Sequence, residues 1–198
     1  MHNAPDPAVQ SAAKVLAEEG SPTEEKCLPG FDLIDPILSV INGGDGGDYY
    51  LNLLRRYGTT RMHPDTVALL FRCRSGVAPG RKYSEALLNW DRLKESALKF
   101  MDTVELLICP PASAAAPKHG GTHEMDFSYS YVFNLLGWPA AVVRVGATAE
   151  GLPVGVQIVG RPWKDHEVLA AALRIEKVLG GWKPDFPERP LIQPSSNP

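Results

Sequence analysis

Residues 83–109 carry the pattern that most restricts the fold, since a long amphipathic helix leads directly into a short apolar strand. The strand segment, ELLICPP, is a compact apolar run closed by two prolines, which is typical of a buried strand. A helix followed at once by a buried strand predicts an α/β fold. The helix repeats apolar side chains every three or four residues, and these are assigned to the core: Tyr83, Leu87, Trp90, Leu93, Ala97, Phe100 and Met101.

Similar patterns predict two more strands, AAVVRVG and GLPVGVQIVG, and five or six helices in all. A short strand is also considered over TEEKCLP, residues 23–29. In the last strand, Val154, Val156 and Ile158 are expected on one face, and Gly155, Gln157 and Val159 on the other. Gly155 would permit a close backbone approach, and Gln157 would need a hydrogen-bond partner if buried.

Residues that favour helix ends locate the helices along the chain. Asp6 is expected to cap the first helix and Gly20 to end it, while another helix begins at Asp35–Pro36. The predicted caps of three later helices are Asp48, Ser84 and a serine of FSYSY, Ser128 or Ser130. In the last helix, the residues expected on the apolar face include Val168, Leu169, Ala172, Leu173, Ile175 and Leu179.

Composition excludes several classes of protein. A net charge of −3 gives no electrostatic case for binding nucleic acid. No apolar run reaches the length of a membrane span, and MHNAPDPAVQ lacks the features of a signal peptide, so a cytoplasmic location is expected. The predicted organisation is one domain portion over residues 1–190 and an extended, proline-rich tail over 191–198.

Metal and cofactor motifs are weak in this sequence. Cys27, Cys73 and Cys109 form no CxxC pair, which favours buried or inert thiols over a zinc site. His119 and His123 stand four apart, but the two glycines between them make a helical metal site a poor interpretation. The glycines of residues 43–47 lack the Lys-Ser/Thr of a phosphate loop. No metal or cofactor ligand is assigned.

No catalytic group is assigned from residue types and spacing either. No G-x-S-x-G string occurs, and Glu124 and Asp126 are two acids in a predicted loop, which by itself indicates no acid–base role. No pattern pairs a base with any of the serines considered, which are Ser11, Ser84, Ser96, Ser128 and Ser130.

The C-terminal third, from NLLGWPAAVVRVG to GLPVGVQIVGRPWKDHEVLAAALRIE, resembles the closing segment of amidase signature enzymes. The LLICPP strand and the N-terminal helix are also similar to that family, while Glu105 and Arg144 depart from its usual residues. The resemblance implies a mixed, twisted sheet with helices on both faces. The residues that carry it are assigned a structural role: Asn134, Gly137, Pro139, Gly151, Pro153, Gly155 and Gln157.

The resemblance also implies an activity, the hydrolysis of a carboxamide to a carboxylic acid and ammonia or an amine, with no cofactor. Family enzymes use two serines from a Gly/Ser-rich signature and a lysine, and no such string occurs in these 198 residues. The chain is therefore expected to be a truncated or split C-terminal part, inactive alone. It would need an N-terminal amidase chain that carries the signature, or would self-associate.

In a complete enzyme, residues 110–135 would line the acyl pocket for a small amide substrate. Tyr129, Tyr131, Trp138 and Trp163 fit either an apolar acyl pocket or core packing. The alternative function is a non-catalytic, amidase-like module that acts by binding or assembly.

Overall fold

A computed structural model describes residues 6–118 and 127–182 of the chain. The second half contains both helices and three strands, in agreement with the α/β prediction, and the last two strands follow each other directly. A short 3₁₀ helix at Phe31–Leu33 precedes the second α-helix. The elements in chain order are α1 (Pro7–Glu18), α2 (Ile34–Gly43), α3 (Asp48–Arg56), α4 (Pro64–Ser75), α5 (Gly80–Met101), β1 (Leu106–Cys109), α6 (Ser128–Leu136), β2 (Ala140–Ala147), β3 (Pro153–Gly160) and α7 (Asp165–Leu179).

The three predicted strands form one sheet in the order β1-β3-β2. β3 lies at the centre and is antiparallel to both neighbours, with Ile108 opposite Ile158 and Val143 opposite Val156. Parallel pairing, expected for a complete mixed sheet, would have to involve strands beyond these three. The strand considered over residues 23–29 is wrong, because this segment is irregular and only Leu28 is buried, in the cluster of α5.

Helices cover both faces of the sheet, as expected from the resemblance. On one face, α2, α5 and α6 enclose a cluster that contains Leu93, Phe133 and Val159. On the other face, α1 and α7 enclose a second cluster that contains Val156 and Ile158. β3 therefore supplies side chains to both cores, and the predicted alternation of its faces is confirmed.

Close backbone contact at Gly155 is also confirmed. A Cβ atom added there would lie 3.1 Å from the Val143 carbonyl oxygen and 3.2 Å from Val142 Cγ1. Nearby, Gly151 has φ +84° in the turn between β2 and β3, and Pro153 begins β3, where its missing N–H is tolerated.

The N-terminal ends of the helices show that one predicted cap, Asp6, is right and that the other predicted caps are wrong. The Asp6 carboxylate accepts a hydrogen bond from the Ala8 N–H at 2.7 Å and so caps α1 as expected. At α3 the predicted cap Asp48 is wrong: Gly47, at φ +83°, holds the N-cap position, and the Asp45 carboxylate accepts from Gly47 and Tyr49 at 2.7 and 2.9 Å.

Serine does not cap α5 or α6. Because α5 begins at Gly80, Ser84 lies inside the helix, where its hydroxyl donates to the Gly80 carbonyl at 3.2 Å. Phe127 holds the N-cap position of α6, and no side chain caps that end. Ser128 is therefore the first residue of α6, and Ser130 lies within it.

Two predicted apolar faces are only partly buried. In α5, Leu93, Ala97 and Met101 are buried, but Tyr83 and Leu87 are exposed. The same correction applies to α7, where Leu169 and Leu173 are 57% and 64% exposed. The helix packs on the sheet through a strip that contains Val168, Ala171, Ala172 and Ile175, and the two leucines lie beside this strip.

Within residues 6–118 and 127–182, no helix combines the length and apolar character needed to cross a bilayer. The proline-rich tail at 191–198 lies outside the described residues, and the proposed domain division stays a prediction.

The contact at Gly155 predicts a position-specific cost of substitution. Gly155→Val should lower the free energy of unfolding by about 1–3 kcal/mol, because the new side chain meets the β2 backbone. Gly146→Val is the matched control, since a Cβ on that β2 residue meets no atom within 4 Å. Urea denaturation of both variants measures the effect, and equal losses of stability would contradict the packing argument.

The corrected cap of α3 predicts different effects for two neighbouring aspartates. Asp45→Ala should destabilise α3 by about 1 kcal/mol, since two backbone N–H groups lose their acceptor. Asp48→Ala should cost less, because that side chain only adds negative charge to the first turn. Amide hydrogen exchange along α3 distinguishes them, and a larger effect from Asp48→Ala would favour that residue as the cap.

Candidate functional site

The end of β1, the start of α6 and the middle of β3 meet at Gln157. This side chain is only 5% exposed, although it is polar. Its Nε2 donates to Cys109 Sγ and to the Tyr129 carbonyl oxygen, each at 3.4 Å. The expectation that a buried Gln157 needs a partner is therefore confirmed.

A second hydrogen bond joins the segment after β1 to α6. Ser130 Oγ donates to the Pro111 carbonyl oxygen at 2.7 Å. Next to it, the rings of Phe127 and Tyr131 lie 6.4 Å apart between centroids. Within the expected acyl-pocket region, residues 110–135, this hydrogen bond therefore holds Pro111 against the first turn of α6.

The four aromatic residues considered for an acyl pocket differ in burial and location. Trp138 is buried in the cluster with α5 and α6, which favours core packing. Trp163 is 91% exposed, with φ +68°, in the connection before α7. Tyr129 and Tyr131 are half-buried in the first turn of α6.

The three cysteines differ in environment. Burial raises the pKa of the Cys109 thiol, and the hydrogen bond from Gln157 offsets part of this rise. A raised pKa lowers the thiolate fraction at neutral pH, so Cys109 is a weak nucleophile. Cys73 is buried and its thiol donates to the Asn42 carbonyl, whereas Cys27 is exposed.

Serine hydroxyls in the described residues bind backbone carbonyls in several places. Ser11, Ser84 and Ser130 donate to the carbonyls of Pro7, Gly80 and Pro111, in that order. A hydroxyl that donates to a carbonyl has no base to accept its proton, so these three contacts do not activate a nucleophile.

In the part of the chain that the structure describes, Lys26 contacts a hydroxyl close to the end of α5. Lys26 Nζ donates to Thr103 Oγ1 at 3.3 Å and forms an ion pair with Glu24. The Thr103 hydroxyl in turn donates to the Phe100 carbonyl at 2.8 Å. The contact therefore joins the segment after α1 to the end of α5.

Metal-ligating side chains do not assemble in residues 6–118 and 127–182, where no group of three His, Cys, Asp or Glu residues could hold an ion. The histidines considered for a metal, His119 and His123, lie outside the described residues, as do Glu124 and Asp126.

A shallow depression of about 200 Å³ lies where the end of α7 meets β2. Its lining has one charged side chain, Arg144, and otherwise consists of Gly146, Leu179, Gly180 and Gly181. It offers no nucleophile and base in contact.

The family-motif residues occupy positions in α6, in turns and in β3. Gly137 ends α6 with φ +67°, and the carbonyl of Pro139 accepts from the Gly160 N–H at 3.1 Å. Gly151 lies in the turn before β3, and Asn134 lies on the exposed side of α6. Their structural role stays a prediction. The hydrogen bond of Ser130 escapes sequence reasoning, because the pattern around that serine indicates only a helix cap.

Comparisons with known proteins identify the family. The family described as Amidase matches residues 1–169. Fatty-acid amide hydrolase 2-B of Danio rerio is 33% identical over 160 residues, which cover 78% of this chain and 30% of that protein. A glutamyl-tRNA(Gln) amidotransferase component from Neisseria meningitidis serogroup C is 27% identical, and the match covers 91% of this chain and 43% of that protein.

A solved structure described as fatty acid amide hydrolase has the same fold, with a TM-score of 0.72 at 21% identity. The match covers 87% of this chain and 36% of that one. The chain thus spans less than half the length of each of these three proteins. The resemblance of the C-terminal motifs is confirmed, and the chain belongs to the amidase family.

Proposed function

We propose that this chain is the C-terminal part of an amidase signature enzyme and is catalytic only when joined by polypeptide that carries the Gly/Ser-rich signature. The joined enzyme would hydrolyse a carboxamide with water to a carboxylic acid and ammonia or an amine. The signature part would supply the two serines and the lysine. This chain would supply the acyl side of the site, and no cofactor is needed.

The observation that carries the proposal is the open sheet. β1 and β2 pair with β3 on one side each, and within the described residues neither has a strand on its other side. β2 has the sequence AAVVRVGA, with one charge, and its Val142 side chain is 60% exposed. Natural sheets protect such edges, because exposed apolar edge strands pair with other chains.

The edge of β1 is the expected junction with the signature part. Residues 110–118 follow the carboxyl end of β1, and Ser130 holds their start against α6. If this region lines the acyl pocket, the groups that attack the amide carbonyl must lie beside it. A strand added next to β1 would bring its own loops to that place.

Exposed apolar side chains on two helices also support the proposal that a further polypeptide covers this chain. Leu87 and Leu88 in α5 and Leu169 and Leu173 in α7 are exposed apolar side chains on helices whose other faces are buried in the two core clusters. Fully burying an exposed leucine contributes roughly 1.5–3 kcal/mol. Because these four are 40–64% exposed, a partner that covers them would contribute about half of that for each.

The second candidate is a non-catalytic, amidase-like module that acts by binding or assembly. The hydroxyl contacts favour it in one respect, since Ser11, Ser84 and Ser130 bind carbonyls and none of these three contacts a base. The same observation fits a split enzyme, so the two candidates differ in what the signature part does to activity.

The test is reconstitution of activity. The chain is purified alone and co-expressed with an N-terminal amidase polypeptide that carries the signature, taken from DNA upstream of Met1 or from a related amidase. Release of ammonia or amine from simple amides is then measured. We expect hydrolysis only by the joined protein, and its loss when the signature serine of the added polypeptide is changed to alanine.

Two results would contradict the proposal. Turnover by this chain alone would place the machinery within these residues. A stable joined protein without hydrolysis of any amide, while a control amidase assembled from two parts is active, would favour the non-catalytic module. The cytoplasmic location stays a prediction that neither result tests.

A further inference from the structure

We propose that Gln157 and Ser130 are positioning residues that hold the acyl-side wall, meaning residues 110–118 together with 127–131. This inference rests on the proposed function, since the wall would face the acyl group of an amide only in a joined enzyme. The two side chains would act through this wall and not through contact with the reacting atoms.

Gln157 is placed where its amide can join two elements. In the sheet it lies opposite Cys109, the last residue of β1, and its side chain reaches the face covered by α6. The two hydrogen bonds connect it with residues 48 and 28 positions away in the chain. A buried amide is costly without partners, so its bonds fix where β1 ends and α6 begins.

Ser130 holds the same wall at Pro111, two residues after the end of β1. Its hydroxyl reaches the carbonyl of Pro111, the second of two consecutive prolines. Proline restricts the backbone, so a bond to that carbonyl fixes the direction in which the chain leaves β1. This contact thereby holds the first residues after β1 against the first turn of α6.

Neighbouring residues of β3 supply packing without this polar connection. Val156 and Ile158 are fully buried in the cluster with α1 and α7, and Val159 packs on the opposite face. An apolar residue at position 157 would satisfy the core equally well. Methionine is similar in volume to glutamine and has no N–H donor, so Gln157→Met removes the bonds and keeps the packing.

The first arm of the test uses this chain as it exists and needs no activity. In Gln157→Met, the amides of residues 132–135, which bond to the first turn of α6, should exchange roughly five- to tenfold faster than in the wild type. Amides of α7 should not change. Ile158→Val is the matched control, because that side chain faces α1 and α7 and its effect should appear there.

Two variants of Ser130 test the role of its hydroxyl, one that removes the hydroxyl and one that keeps it. Ser130→Ala should speed exchange in the same amides of α6, because the bond to Pro111 is lost. Ser130→Thr keeps the hydroxyl and should retain protection. Uniform acceleration across all elements, or no change in Gln157→Met, would overturn the positioning role.

The second arm measures catalysis in the joined enzyme with two amides that share one leaving group, one with an acetyl group and one with a bulky acyl group. For Gln157→Met, KM for the bulky substrate should rise about fivefold or more, while kcat for the acetyl substrate changes by less than about twofold. Equal losses on both substrates would indicate a structural role only.

The two arms separate the two proposals. If the joined protein with the wild-type chain hydrolyses no amide, the proposed function fails, and hydrogen exchange still decides whether Gln157 and Ser130 hold the wall. If the joined enzyme is active but the α6 amides are unchanged in Gln157→Met, the positioning role fails alone.

Discussion

The structure depends on the pairing of β3 with both of its neighbours. Because β3 lies between β1 and β2, its side chains enter both cores, with Val156 and Ile158 on one face and Val159 on the other. Close approach of β2 requires glycine at 155, where an added Cβ would lie 3.1 Å from a β2 carbonyl. The many glycines and prolines around this apolar strand therefore have separate tasks: a turn, a strand start, a close contact and a strand end.

The same strand connects the scaffold to the site. Gln157 alternates with the buried aliphatic residues of β3, and its amide reaches the end of β1 and the start of α6. A buried polar group of this kind must be satisfied, so its position is specified more strictly than that of an aliphatic neighbour. Under the proposed positioning role, these bonds hold the acyl-side wall in a fixed relation to the sheet.

Local patterns predict the parts of the fold that local physics controls. The helix–strand succession at 83–109, the alternation in β3 and the Asp6 cap all depend on near neighbours. The cap of α3 is misassigned from sequence because Gly47 adopts a left-handed conformation that brings Asp45 to the helix end. Leu169 and Leu173 are expected in the core because they are apolar and follow the helical spacing of the buried residues. Their burial, however, depends on which elements are present to cover them. The partners of Gln157 and Ser130 lie 19 to 48 positions away, beyond what residue spacing can reveal.

We propose that in the joined protein the sheet is extended at β1 by the rest of an amidase fold. Hydrogen exchange at the amides of Leu106–Cys109 tests it most directly, in the chain alone and joined to a polypeptide that carries the signature. We expect the β1 amides that point away from β3 to exchange freely in the chain alone and to become protected in the joined protein. Formation of a stable joined protein with unchanged exchange at these amides would contradict it.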